Sequence, residues 1–213
     1  DHRDLHSFPT RRSSDLNEQK SGVGSAVIVG IDNGNAWRDS ELTPKSIGVV
    51  QHLEMLCEDF KPEGEIFDNF LMNTVIPYVE NNFPVCTDRQ NVAVCGSSSG
   101  GLMSFFSAVE HPKKFGYAGV FSPAFLCYTR EDWAKYLSTK IVENMPYLYI
   151  YTGNGDELEE MIFESTEMLY ELLEESFYPY DRMNEVILFE NAHNEKSWRE
   201  IFPDFLHTFL SRL

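Results

Sequence analysis

The segment Gly96–Gly100 reads GSSSG and places Ser98 between two glycines, after an apolar run and before an amphipathic one. The apolar run Asn91–Cys95 predicts a buried strand, and Leu102–Val109 predicts a helix. A chain that turns this sharply from strand to helix lifts the central serine hydroxyl above the edge of a sheet, where it can attack an electrophile. The spacing therefore predicts that Ser98 is a nucleophile.

Two other structures use segments rich in serine and glycine. A helix N-cap has a similar composition, and a phosphate-binding loop would continue with Lys-Ser or Lys-Thr, which is absent after Gly101. Side chains two residues before and after a nucleophile on such a turn would collide, so glycine is expected at 96 and 100, and Gly101 relaxes the turn further. Ser97 and Ser99 lack this symmetric pair of glycines. The strand and helix on either side favour the nucleophile over both alternatives.

A serine hydroxyl is a poor nucleophile at neutral pH, so a base must take its proton and an acid must orient that base. In sites of this type the chain order is serine, acid, histidine. The strand predicted at Tyr147–Tyr151 ends in a loop that carries Asp156, the predicted acid. Glu157 or Glu159 could serve instead, and an acidic loop without a catalytic role is a further alternative.

Two histidines follow the acidic loop. His193 lies in the loop after the strand predicted at Glu185–Phe189, whereas His207 lies in a predicted terminal helix between apolar side chains. A histidine in such a helix is expected to be packed or at the surface. His193 is therefore the predicted base.

The elements that must position these residues alternate between strand and helix. Besides those already named, we predict strands at Ser25–Ile31 and Tyr117–Phe121, and helices at Glu65–Val79, Trp133–Leu137, Met161–Phe177 and from about Ser197 to the end. Strands that alternate with helices of this length are joined by crossovers and run parallel. The fold class is therefore α/β, with a mostly parallel sheet covered by helices on both faces.

Four aromatic residues follow the strand at Tyr117–Phe121. These residues are Phe125, Tyr128, Trp133 and Tyr136. They either line a substrate pocket or pack in the core.

The overall composition limits the class of partner. The chain has 213 residues, enough for one domain with a sizeable core. Its 17 basic and 34 acidic residues give a net charge of −17, which repels phosphate backbones and anionic membrane surfaces. The apolar runs are far too short to span a bilayer. We therefore expect neither nucleic acid nor a membrane as partner. The predicted serine, acid and histidine indicate a small-molecule ester instead.

The four cysteines lack the paired short spacing of a zinc site and the density of a disulfide scaffold. We expect reduced thiols, which favour a cytoplasmic location, and no metal or cofactor.

Residues 1–16 read DHRDLHSFPTRRSSDL and show neither apolar periodicity nor a targeting pattern. They resemble the translation of a short-read sequencing adapter, and segments of this kind are set aside before a fold is considered. We expect the domain to comprise residues 17–213 and to be truncated at its N-terminus, so the sequence does not address the presence of a signal peptide.

Several segments resemble the esterase family that includes enterochelin esterases and feruloyl esterases, a branch of the α/β hydrolases. The resemblance covers nearly all of residues 17–213. The segments that carry it are Val27–Ile31 with Arg38 and Glu41-Leu42, Val75–Tyr78, Gly96–Gly101, His111-Pro112 with Phe115, Phe121–Ala124, Gly153–Asp156, and His193 with Trp198.

The resemblance implies a serine esterase with Ser98, Asp156 and His193 as nucleophile, acid and base, although the family accepts Asp or Glu as the acid. It also implies that the backbone N–H of Ser99 is one oxyanion donor. The second donor in such enzymes comes from a loop that would precede this sequence, and the loss of one donor typically costs about 10²–10³ in rate.

The resemblance further implies that a central strand is missing between the strands predicted at Ser25–Ile31 and Asn91–Cys95. The neighbouring strands would leave backbone groups unpaired. We therefore expect the chain alone to be unstable and nearly inactive.

Two other functions fit the same pattern. An acyltransferase would use the same residues but pass the acyl group to an alcohol, and a binding module would keep the scaffold without catalysis. The sequence does not define the acyl or alcohol part of a substrate, or the oligomeric state.

Overall fold

The computed structural model describes residues 25–53, 56, 59–141 and 143–211. Residues 1–16, which we interpret as adapter-derived, lie outside the described residues. Four strands in the described part form one parallel sheet in the order β1-β2-β3-β4. They are Ala93–Ser97 (β1), Tyr117–Phe121 (β2), Tyr147–Thr152 (β3) and Met183–Ile187 (β4).

The helices lie between and around these strands. In the described part of the chain the α-helices are Arg38–Glu41 (α1), Gly64–Phe70 (α2), Ile76–Asn82 (α3), Ser99–Glu110 (α4), Arg130–Leu137 (α5), Glu157–Glu175 (α6) and Glu195–Ser211 (α7). A π-helical segment, Leu71–Val75, joins α2 to α3, so the helix predicted at Glu65–Val79 is one helical rod with a local change of pitch. The predicted α/β fold is confirmed.

The order of the strands determines where the helices pack. Each strand pairs with the next one along the chain, and α4, α5 and α6 connect them in turn. These three helices bury apolar side chains in one cluster with Leu148 and Ile150 of β3. The opposite face of β3 carries Tyr149 and Tyr151, which pack against α7 through Phe205. Helices thus cover both faces, and every residue of β3 is buried.

The strand predicted at Ser25–Ile31 is not formed. This segment lies beside β1 without entering the sheet, and a groove of about 920 Å³ separates the two. Val27, Ile28 and Val29 are each nearly half exposed. A strand is defined by hydrogen bonds to a neighbouring strand, and this segment does not pair with β1 across the groove. The resemblance places a further strand in this position.

The four aromatic residues after β2 belong to the core. All four are almost fully buried, and Trp133 packs edge-to-face against the other three. Its indole N–H donates to the carbonyl oxygen of Phe125 at 3.0 Å. Core packing, rather than a pocket lining, is therefore the role of Phe125, Tyr128, Trp133 and Tyr136.

The three described cysteines, at 86, 95 and 127, are free thiols. Among the described helices, none has the length and apolar character needed to cross a membrane.

Candidate active site

Ser98 lies at the carboxyl end of β1, in the turn that leads into α4. Its backbone has φ 58° and ψ −126°, in a region that non-glycine residues rarely adopt. The turn is held by four backbone hydrogen bonds: Ser98 N–H donates to the carbonyl of Phe121, and the Ser98 carbonyl accepts from the N–H groups of Gly101, Leu102 and Ala124. Strain of this kind persists only where the surroundings fix it, and it marks functional sites.

Of the three glycines around Ser98, Gly96 has the expected role, whereas Gly100 and Gly101 do not. A Cβ at Gly96 would lie 2.5 Å from the carbonyl oxygen of Gly100, and one at Gly101 would lie 2.8 Å from that of Phe121. A Cβ at Gly100 would meet only the Arg38 guanidinium, at 3.9 Å. The close approach thus requires glycine at 96 and 101, and position 100 has room for a side chain.

His193 lies in the loop after β4 and faces the serine. Its Nε2 is 3.0 Å from Ser98 Oγ, within hydrogen-bond distance. The imidazole is 10% exposed, and its ring meets the Trp198 ring edge-to-face with the centroids 5.0 Å apart. The structure thus brings together the predicted nucleophile and the predicted base, although they are 95 residues apart in the chain.

The other nitrogen of His193 contacts Glu159. Nδ1 is 2.6 Å from Glu159 Oε2, and the Glu159 side chain is fully buried. The second carboxylate oxygen, Oε1, accepts hydrogen bonds from Ser122 Oγ and from Gly153 N–H, each at 2.7 Å. A buried carboxylate is costly unless it is paired and hydrogen-bonded, and these contacts meet that requirement.

Asp156 does not contact the imidazole. Its Oδ1 accepts from the backbone N–H of Glu159, and its Oδ2 accepts from the backbone N–H of His193, each at 2.8 Å. The first of these bonds, assisted by the second, lowers the pKa of the Asp156 carboxyl below its ordinary value, against a smaller desolvation effect. Asp156 is the N-cap residue of α6, and it also ties the histidine loop to the start of that helix.

A sequence signal distinguishes the two carboxylates. Asp is a preferred N-cap residue, and a Glu three positions later directly before an apolar run is typical of the first turn of a helix. Asp156 and Glu159 have this spacing. An N-cap carboxylate is occupied by backbone N–H groups, as Asp156 is. In the structure Glu159 is the carboxylate that contacts the histidine.

The acid loop and the histidine loop are in backbone contact. Gly155 N–H donates to the carbonyl of Asn191 at 2.8 Å. A Cβ at Gly153 would lie 2.2 Å from the carbonyl oxygen of Asn191, and one at Gly155 would lie 2.2 Å from that of Glu190. Only glycine allows the two loops to approach this closely.

Helix α1 supports the other side of the nucleophile turn. Ser99 Oγ donates to Asp39 Oδ1 at 2.7 Å, and the Arg38 guanidinium donates to the Ser97 carbonyl at 3.1 Å. The side chain of Ser99 is therefore occupied, and its backbone N–H lies in the first turn of α4, where helix N–H groups lack partners within the helix.

Two other histidines lie away from this site. His111 Nε2 contacts Asp68 Oδ2 at 2.6 Å, and His207 is exposed on α7. Neither of these two side chains is hydrogen-bonded to Ser98, and His193 is the histidine that lies beside the serine.

The arrangement forms one line of contacts from a buried carboxylate through an imidazole to a serine hydroxyl. Its three members lie in the segments that follow β1, β3 and β4, at the edge where functional groups of open α/β sheets gather. A hydroxyl in this setting can be deprotonated as it attacks an electrophilic carbon.

The chain is similar in sequence and in fold to known proteins. A family model described as "Putative esterase" matches residues 7–209. The enterobactin esterase FES from Shigella flexneri has a similar solved structure, with a TM-score of 0.67 and 16% identity, over 94% of this chain and 47% of that one. At this identity the likeness concerns the fold.

Two curated proteins are similar in sequence. Protein YbbA from Bacillus subtilis is 24% identical over 78% of this chain and 65% of its own length. An endo-1,4-beta-xylanase/feruloyl esterase from Xylanibacter ruminicola is 31% identical over 50% of this chain and 13% of its own length. The chain thus spans less than two thirds of the length of either relative.

Proposed function

Since the chain belongs to the esterase family, whose model matches nearly all of it, we propose that it hydrolyses carboxylic esters with Ser98 as the nucleophile. The observation that carries this proposal is the continuous contact from Glu159 through His193 to Ser98, at 2.6 Å and 3.0 Å. Three side chains of the right types, from three separate strand ends, meet at hydrogen-bond distance in the order that acyl transfer needs.

In the first half of the reaction, Ser98 Oγ attacks the ester carbonyl carbon while His193 Nε2 takes the serine proton. The tetrahedral intermediate collapses, the carbon–oxygen bond to the alcohol breaks, and His193 gives its proton to the departing alcohol. The acyl group is left as an ester on Ser98. In the second half, His193 removes a proton from water as the water oxygen attacks this ester. His193 then returns the proton to Ser98 Oγ as the bond between Ser98 and the acyl carbon breaks and the carboxylic acid leaves.

We assign the role of acid to Glu159 in place of Asp156. Contact with Glu159 Oε2 keeps the proton of the neutral imidazole on Nδ1, which leaves Nε2 free to accept the serine proton. The carboxylate then stabilises the imidazolium that forms during the attack. Asp156 contributes by holding the backbone of His193 in place.

We assign the backbone N–H of Ser99 as one oxyanion donor. It is the residue after the nucleophile and the first residue of α4, so the positive end of the helix dipole lies beside the oxygen on which charge develops. The side chain of Ser99 takes no part, because it is bound to Asp39.

A fluorophosphonate probe tests the nucleophile without knowledge of the natural substrate. The probe reacts with activated serines, so we expect labelling of the protein, and its loss in Ser98→Ala. Ser97→Ala is the matched control, because it removes the neighbouring hydroxyl, and it should keep the label. Labelling that persists in Ser98→Ala would contradict the proposal. Hydrolysis of p-nitrophenyl acetate by the same variants measures turnover.

A further inference from the structure

Ser122 lies at the carboxyl end of β2, between the strand that carries the nucleophile and the strand that carries the acid. It is fully buried, and its backbone has φ 39°, in the left-handed region that a serine seldom adopts. Its N–H donates to the carbonyl of Tyr151 at 2.7 Å, which fixes this backbone against β3. The mechanism assigned above does not use Ser122.

The hydroxyl of Ser122 has a defined direction. It accepts a hydrogen bond from the indole Nε1–H of Trp198 at 2.9 Å and donates to Glu159 Oε1 at 2.7 Å. A serine hydroxyl has one proton, and the incoming indole N–H occupies its acceptor side. The proton is therefore directed at the carboxylate, where a charge-assisted hydrogen bond is stronger than a neutral one.

Trp198 contacts the site at two points. Its N–H holds Ser122, and its ring lies edge-to-face against the His193 imidazole at an interplanar angle of 88°. Edge-to-face rings at this distance attract each other, and this contact limits the tilt of the imidazole. One side chain thus positions both the acid, through Ser122, and the base directly.

We propose that Ser122 and Trp198 are positioning residues that fix the Glu159 carboxylate and thereby the orientation of His193. This inference rests on the proposed function. Glu159 Oε1 has two donors, Ser122 and Gly153 N–H, so its Oε2 is the oxygen left for the imidazole. Without the Ser122 hydroxyl, the carboxylate keeps one donor and can rotate about its last bond, which misaligns its contact with Nδ1.

Two substitutions separate these contacts. Ser122→Ala removes the donor to Glu159, and Trp198→Phe keeps an aromatic ring against His193 but removes the N–H that directs the serine. We expect kcat for p-nitrophenyl acetate to fall about tenfold in Ser122→Ala, in line with the loss of one hydrogen bond to a charged group. In Trp198→Phe we expect kcat to fall less than in Ser122→Ala. KM should change little in both variants, because neither residue is assigned a contact with substrate.

Ser107→Ala is the matched control. Ser107 is also fully buried and also donates to a carboxylate, Asp68 Oδ1 at 2.7 Å, but it lies outside the site. It should keep the wild-type kcat. If Ser107→Ala and Ser122→Ala lose activity equally, the effect is one of general stability and the proposal fails.

A double-mutant cycle shows whether Ser122 acts through Glu159. In a Glu159→Gln background the further change Ser122→Ala should have little effect, because the carboxylate that it positions is gone. Independent, multiplicative losses would overturn the proposal. The rate of fluorophosphonate labelling provides the same comparison without a substrate.

The imidazole proton gives a readout that packing alone would not change. A proton held between Glu159 and His193 Nδ1 resonates far downfield in the NMR spectrum, and we expect it to move or broaden in Ser122→Ala and to stay in Ser107→Ala. An unchanged resonance in Ser122→Ala would overturn the inference. If Ser98→Ala instead keeps its activity, it is the proposed function that fails, so the two failures are distinguishable.

Discussion

At the scale of single residues, two carboxylates three positions apart have different surroundings. Glu159 is buried against the imidazole, whereas Asp156 is exposed and bound to backbone N–H groups. Their separation in the sequence is too small for strand order alone to choose between them. The choice depends on the first turn of α6, where the N-cap residue faces the helix end and the third residue faces the sheet.

This difference predicts unequal effects of two matched substitutions. Glu159→Gln should lower kcat/KM by about 10³–10⁴, as expected when the acid of a triad loses its charge. Asp156→Asn should lower it by roughly tenfold or less, because Asn also caps helices well and only one of two backbone contacts is lost. Steady-state kinetics on p-nitrophenyl acetate measures both.

Each of these substitutions removes one negative charge from the same turn, so they control for each other. The reverse ranking, with Asp156→Asn the more damaging change, would make Asp156 the acid and remove Glu159 from the mechanism.

At the scale of elements, the strand–turn–helix around Ser98 could be predicted from its sequence, but the roles of its glycines could not. The symmetric spacing of Gly96 and Gly100 suggested that both were required. The actual constraint is set by the next strand, since the carbonyl of Phe121 lies against Gly101. Contacts with a distant strand do not appear in a local motif.

Two adjacent glycines of α4 should therefore respond in opposite ways to alanine. Gly101→Ala forces a Cβ against the Phe121 carbonyl and should lower the free energy of unfolding by about 1–3 kcal/mol. Gly100→Ala has room and removes the flexibility of glycine from a helix, so it should be neutral or stabilise by up to about 1 kcal/mol. Urea unfolding of the two variants gives the comparison.

Equal destabilisation by both alanines would show that the turn, rather than the neighbouring strand, sets the requirement for glycine.

Most other elements follow from apolar periodicity, with small shifts such as β4 at Met183–Ile187 against the predicted Glu185–Phe189. The exception is Ser25–Ile31, whose β-rich composition cannot supply the neighbouring strand that pairing requires.

At the scale of the whole molecule, an acidic cluster at the β4 edge of the sheet couples stability to pH. Glu185 of β4 is half-buried, and its Oε1 is buried without a hydrogen-bond partner. Burial, with the neighbouring Glu167 and Glu174, raises the pKa of Glu185 to about 7. A carboxyl whose pKa is higher in the folded state favours the folded state when it is protonated, so stability should rise as the pH falls from above 7 toward its ordinary value of 4.5.

Glu185→Gln should remove this dependence. We expect it to raise the Tm at pH 8 by roughly 2–4 °C, which corresponds to about 1 kcal/mol after allowance for partial exposure. At pH 4.5 it should leave the Tm unchanged. Calorimetry at the two pH values is the measurement, and Glu164→Gln on the exposed face of α6 is the control. If Glu185→Gln and the control Glu164→Gln raise the Tm at pH 8 by the same amount, the prediction is wrong.

The groove beside β1 predicts self-association. Within the described residues β1 has a strand neighbour on one side only, and an unpaired edge next to apolar side chains is a template for another chain. We expect sedimentation velocity to show concentration-dependent association, reduced by Ile28→Lys with Val29→Lys. Leu188→Lys, which adds charge elsewhere on the surface, should not reduce it.

Thermal unfolding of the same samples tests the expectation that the chain alone is unstable. A single sharp transition together with full esterase turnover would contradict that expectation.

The order of the strands determines when the site can form during translation. The four described strands pair in the order in which they are synthesised. The proposed nucleophile, Ser98, follows the first of them, and the proposed base, His193, follows the last. No partial chain that ends before residue 193 contains the proposed base, however well its earlier strands have folded. We therefore expect Ser98 to stay unreactive during translation until all four of these strands have been made. A nascent chain that ends before residue 193 should not react with the probe that labels the finished protein.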